Sequence, residues 1–202
     1  MGRGAGREPA VGRPITDMVL ADETWISATH AEVCLAFLKA EWEKVPEITR
    51  WHDRRLVDEP DLSSGLENGL RRLILGSWRE PLLAHIPADT SWWRVRSLRH
   101  THAIELLVIA SDDWRDPVDG NELLNVARRR GETLRTRPAD WSPPILWGHE
   151  REGPFTILEG NNRLVNYAAS VPNSAFAVEC FVGLSLSPSV WHLPDRLTTA
   201  RG

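Results

Sequence analysis

Cysteine is scarce in this chain. Of 202 residues only two are cysteine, Cys34 and Cys180, far apart and each within an apolar run. A disulfide framework or a zinc site needs more cysteine or histidine at closer spacing, so both are excluded as organising principles. Buried free thiols in a reducing compartment are the expectation, which places the chain in the cytoplasm. Tyrosine occurs once and methionine twice. No run is long and apolar enough to span a bilayer, so no membrane partner is expected. An excess of positive charge is also missing: 24 Lys and Arg stand against 28 Asp and Glu, a net charge of −4. Bulk electrostatics therefore do not favour nucleic acid, and any such role needs a local patch. The opening MGRGAGREPAVGRP has no apolar centre of the kind a secretory signal carries. It reads as a disordered tail, residues 1–16.

What is present is enough for one folded domain. The length can bury a real core, and 42% of the residues are hydrophobic. Ten tryptophans, scattered from Trp25 to Trp191 without a repeat, read as core and seam filler. The run ARRRGETLRTR gathers Arg128, Arg129, Arg130, Arg135 and Arg137. It is either a solvated helix end or a DNA-facing patch.

Periodicity divides the chain near residue 90. Thr29 and Glu32 form a capping box before a helix carrying Leu35, Leu38 and Trp42, which Pro46 ends. Ser64 and Glu67 repeat the pattern before a second helix, with Leu66, Leu70, Leu73 and Ile74 on one face and Gly76 at the stop. The charged segment RWHDRRLVDEPDL between them reads as a loop. Residues 17–90 are thus expected as a helical extension packed on a sheet built by the second half. After residue 90 the order reads β-β-α-β-β-α-β, an α/β (α+β) domain with a mixed sheet over 91–186, and residues 187–202 read as a C-terminal tail.

The stretch FTILEGNNRLVNYAAS, residues 155–170, raises the functional question. It runs from a strand through Glu159-Gly160-Asn161-Asn162-Arg163 into a helix. A helix N-terminus has unpaired N–H groups and attracts anions. Gly160 allows a sharp turn and a close approach, Asn161 can cap the helix, and Asn162 adds a polar amide. Arg163 supplies a planar fork that suits phosphate. The same residues also make an ordinary capped turn, with Arg163 paired to a surface acid.

The run PPILWGHEREGPFTILEGNNRLVNYAAS resembles the core of the ParB/sulfiredoxin superfamily, whose members carry a strand, then Gly-x-x-Arg opening a helix. The upstream ELLVIASDDWRDP resembles that fold's first strand and polar loop. The resemblance covers about 90–185, under half of the chain. Asn161 stands where sulfiredoxins carry their cysteine, which removes sulfinic acid repair. Asn161 and Asn162 also depart from the Glu-Arg of partition proteins, and no helix-turn-helix comes after them. The compact oncogenic-suppression and fertility-inhibition proteins resemble it best in style. That resemblance implies binding of ATP or CTP first, hydrolysis second, and a ParB-like nuclease activity on DNA third. A non-catalytic module that binds a ligand or a partner's phosphate is the alternative. A small-molecule kinase is a further one, from the Asp-Gly-His-His-Arg of free-serine kinases.

If the junction hydrolyses a nucleotide, Glu159 is the expected magnesium ligand and, with Arg163, the catalytic pair. Asp112, Asp113 and Asp116 lie after a strand in the polar loop and are second candidates for a metal. His149, in the turn GHEREG, is a candidate acid or base if its two flanking strands pair. His100 and His102 lack a third ligand and read as structural.

Overall fold

The computed structural model describes residues 25–42, 44–99, 107–109, 117–130, 142–190 and 192. Strand β1 (Trp25–Ala28) leads into helix α1 (His30–Trp42). The capping box forms: the Thr29 N–H donates to the Glu32 carboxylate at 2.6 Å, and the Glu32 N–H donates to Thr29 Oγ1 at 3.2 Å. Residues 33–38 of α1 are all buried, so the helix is covered on more than one side.

Two short helices replace the expected loop. Helix α2 (Pro46–Trp51) starts at the proline that ends α1, and α3 (Arg55–Asp58) comes next. The charged flanks conceal Ile48, Leu56 and Val57, which are buried and pin the segment down. Helix α4 (Gly65–Leu83) does not stop at Gly76. It runs on to a kink at Arg79, just before Pro81, whose ring cannot sit in a regular helix.

The inner face of α4 is also not the expected one. Ile74, Leu75 and Leu82 point inward together with Arg71, which is fully buried. Leu66 and Leu73 face outward, 77% and 70% exposed. The cause is Arg71 itself. Its guanidinium donates to Leu56 O at 2.9 Å, Asn68 Oδ1 at 2.6 Å and Glu67 Oε2 at 2.6 Å, tying α4 to α3 from the inside. Glu67 is thereby drawn away from the reciprocal arm of its capping box, though Ser64 Oγ still accepts from the Glu67 N–H.

The rest of the chain supplies β2 (Ser91–Arg99), β3 (Leu107–Ile109), β4 (Pro117–Asp119), α5 (Gly120–Arg130), β5 (Ile145–Gly148), β6 (Thr156–Glu159), α6 (Asn161–Ser170) and β7 (Ala177–Leu184). Strand β4 pairs with β3 inside what reads as the end of a polar loop. The described strands form one seven-stranded mixed sheet, ordered β1-β2-β7-β5-β6-β3-β4. The pairs β5/β7 and β3/β6 are parallel and the others antiparallel.

Side chains alternate across this sheet into two cores. Trp92, Ile145, Trp147, Leu158 and Phe181 face α1 to α4. Val95, Leu146, Ile157, Cys180 and Val182 face the other way, towards Leu164 and Ala168 of α6. Every residue of β5 and β6 is buried, as expected of strands covered on both faces. Val95 and Leu98 lie three residues apart yet share one core. A bulge between them sets two residues of β2, Arg96 and Ser97, against one of β7, Glu179, with Val95 opposite Cys180 and Leu98 opposite Val178.

The N-terminal helices pack on the sheet as a layer against one of its faces. They share a core with the sheet, and β1 extends that sheet at one edge. The expected C-terminal tail also folds back in part: Ser189 and His192 are buried, and Ser189 Oγ donates to His85 O at 3.1 Å. No helix among the described residues is long and apolar enough to cross a membrane.

Candidate functional site: the β6–α6 junction

Strand β6 ends at Glu159 in the middle of the sheet, and the chain reverses into α6 through Gly160. Gly160 has φ 93° and ψ 21°, the left-handed region that L side chains rarely adopt. A Cβ at this position would sit 3.0 Å from Pro144 Cβ, so the turn is also pressed against the strand beside it. Glycine is required here on both counts.

The cap differs from expectation. Gly160 itself is the N-cap, with no side chain to cap with, and Asn161 is the first residue of the helix. Asn prefers the cap when it can adopt extended backbone, but the left-handed turn hands that position to glycine. The first bond of the helix runs from the Leu164 N–H to Gly160 O at 2.9 Å. The first turn carries no acidic residue, so nothing in it offsets the positive end of the helix dipole. Asn162 is exposed and Asn161 half-buried.

The charged groups at the junction are tied together. Arg163 donates through one nitrogen to Ser142 O at 2.8 Å and through the other to Glu159 Oε2 in a close ion pair. Glu159 is only 6% exposed. Its second oxygen accepts from Lys44 Nζ at 3.0 Å. Lys44 also donates to Glu41 Oε1 at 3.3 Å, and Glu41 Oε2 accepts from Arg79 at 2.5 Å. Arg163, Glu159, Lys44, Glu41 and Arg79 thus alternate in sign along one chain of contacts. The chain runs from α6, past the end of β6, to α1 and α4. Two buried carboxylates shared among three cations satisfy the demand that buried charges be paired.

Sequence reasoning named two of these five groups and missed Lys44, Glu41 and Arg79. No local signal marks them. Lys44 reads as an ordinary basic residue after a helix, and Glu41 as a solvated one, until the fold brings α1 to the end of β6.

Other candidates fall elsewhere. Strands β5 and β6 do pair, but antiparallel, with Ile145 opposite Glu159 and Trp147 opposite Thr156. His149 therefore sits at the far end of the hairpin from Gly160, about 13 Å away at strand rise. It lies against Trp147 and His192, with Nδ1 2.7 Å from Ser185 O. Arg128 and Arg129 are exposed on α5, which packs beside α6; Arg130 ends that helix. Asp112, Asp113, Asp116, Arg135, Arg137, His100 and His102 lie outside the described residues.

Both thiols are buried and outside the junction. Burial pushes the Cys34 thiol up to about 11, against the opposing pull of Arg72 and Arg71. Burial also raises that of Cys180. Neither is a ready nucleophile at neutral pH.

A magnesium ion keeps several waters and takes one or two carboxylates with substrate phosphates. Glu159 is the carboxylate at this junction, and an ion there would compete with Lys44 and Arg163 for its oxygens. No group of three or more His, Cys, Asp or Glu able to hold a metal ion occurs among the described residues. No family model, curated protein or solved structure matches the chain.

Proposed function

We propose that the β6–α6 junction binds the phosphates of a nucleotide, ATP or CTP. The observation that carries this reading is the left-handed Gly160 as N-cap of α6, with Arg163 and Lys44 drawn to the adjoining Glu159. Backbone N–H groups of the first turn, the helix dipole and two cations all favour a polyanion at that point. Glu159 acts there as the internal counter-ion. It holds both cations near the junction, and a phosphate that draws one of them away takes over its charge. The resemblance of this strand-Gly-x-x-Arg-helix run to the ParB/sulfiredoxin superfamily supports the same reading.

Hydrolysis is the second reading, and Glu159 favours it. A carboxylate one residue from the phosphate cradle is where a magnesium–nucleotide complex would find its protein ligand. When bound, the ion would neutralise charge on the phosphates. The chain's own part is to grip the phosphates with Arg163 and to exchange Lys44 for the ion at Glu159. Cleavage of DNA extends this reading, with the exposed Arg128 and Arg129 of α5 as the first contacts.

The deciding experiment is calorimetric titration of the full chain with ATP and CTP, with and without magnesium, alongside Arg163→Ala. Binding that weakens at least tenfold in the variant is expected. No binding by folded wild type returns the junction to a structural turn. Phosphate release that survives Glu159→Gln removes hydrolysis at this site.

A further inference from the structure

A second candidate site lies at the opposite end of α1 from the charge chain. A cavity of about 400 Å³ opens between the start of α1, the middle of α4 and the segment leading into β2. This falls within the range of about 300–1,000 Å³ typical of small-molecule pockets. Glu41 lies eleven positions after His30 along the helix, a rise of about 16 Å, so the two sites do not overlap.

The lining is divided by chemistry. Leu83, Ile86, Pro87 and Trp92 form apolar walls, with the protonated Cys34 thiol beside them. Trp92 is a fixed platform. Its ring rests on Gly183 of β7, where a Cβ would lie 2.8 Å from a ring carbon. Three residues that carry donors also line the cavity: Arg72, His30 and Thr90. Thr90 Oγ1 accepts from Trp147 Nε1 at 3.1 Å, which leaves its own proton to donate. No carboxylate lines the cavity among the described residues. Burial, then the charge of Arg72, holds the His30 imidazole below its ordinary range.

We propose that this cavity binds a small organic anion with an aromatic body, its ring on Trp92 and its acid group on Arg72, His30 and Thr90. Arg72 and His30 stand at the exposed rim, so a neutral apolar ligand leaves the guanidinium and the imidazole to water, and an inorganic anion leaves the apolar walls wet. Only a molecule carrying both parts uses the whole lining. The site is independent of the phosphate reading of the β6–α6 junction.

Two dyes of nearly equal shape test it: 1-anilinonaphthalene-8-sulfonate, and N-phenyl-1-naphthylamine, which lacks the sulfonate. Each is titrated into the full chain and into Arg72→Gln and Ala88→Trp, with far-ultraviolet circular dichroism as the check on folding. The sulfonate is expected to bind wild type at least tenfold more tightly than the neutral dye. Arg72→Gln should remove that preference while leaving the neutral dye unaffected. Ala88→Trp, which fills the cavity, should weaken both. Equal binding of the two dyes by wild type, no sulfonate binding by wild type, or sulfonate binding unchanged in folded Ala88→Trp would each overturn the proposal.

Discussion

Glu159 Oε1 accepts a hydrogen bond from Lys44 Nζ at 3.0 Å, across 115 positions of sequence. This contact joins the end of a central strand to the loop after α1. It also gives Glu159 two cations, one from each side of the sheet.

Replacing Glu159 by Gln should therefore act in opposite directions on stability and on binding. The variant leaves Arg163 and Lys44 without their shared carboxylate. Removing one member of a fully buried pair costs about 3–5 kcal/mol, but Lys44 is 56% exposed, so solvent screening reduces the figure here to about 2 kcal/mol. Urea unfolding measures this loss. The released cations should at the same time tighten phosphate binding, read by titration with ATP. A variant that is both less stable and weaker in binding would contradict the counter-ion role.

Gly160→Ala should destabilise the protein by about 1–3 kcal/mol, the usual cost of holding a side chain in a sparsely populated backbone region. The close approach to Pro144 leaves no room for the strain to relax. Gly65 provides the control: a Cβ there meets nothing within 4 Å, and alanine at that position should be neutral or slightly stabilising. Paired denaturation curves of the two variants check the contrast.

Arg71→Met should cost about 3 kcal/mol, because it strands the acceptors that the fully buried guanidinium serves. Arg71→Lys should recover little of it. A single ammonium cannot reach Leu56 O, Asn68 and Glu67 in one plane. The midpoint of chemical unfolding measures both.

Alkaline pH should destabilise the fold through its thiols. Their folded values lie above the ordinary 9.0, so the native protein keeps these protons longer than the unfolded chain does. The contribution is complete below pH 9 and is lost as pH rises towards the folded value of about 11 for Cys34. The slope is on the order of 1 kcal/mol per thiol per pH unit in that window. A double Cys34→Ala, Cys180→Ala variant should show a flatter profile between pH 9 and 11 than wild type. Equal slopes would mean that the thiols do not report the burial described.

The parts of the fold legible in sequence were those governed by local rules. The capping box at Thr29, the mixed sheet built after residue 90 and the turn at Gly160 arise from caps, periodicity and glycine. The inner face of α4 did not, because a buried arginine took a place that leucine would ordinarily hold. Strand β1 was hidden as well: four residues before a helix cap carry no alternation long enough to read, and their pairing with β2 is decided by the sheet. At the junction, Glu159, Gly160 and Arg163 were visible as a sequence run. Lys44, Glu41 and Arg79 come to it only through the packing of the helical layer. His149 lies at the other end of the hairpin because β5 and β6 run antiparallel, a direction that only the pairing of the strands decides.

The bulge in β2 gives the sheet one residue of slack. Where two residues of β2 lie opposite one of β7, the core takes Val95 and Leu98 on either side and the ladder absorbs the extra position. Deleting Ser97 would shorten that spacing to two, the natural period of a strand, and both side chains could still point into the same core. A deletion in a central strand ordinarily turns everything beyond it inside out. Here the chain has a place where its length can change by one while its inside and outside stay the same.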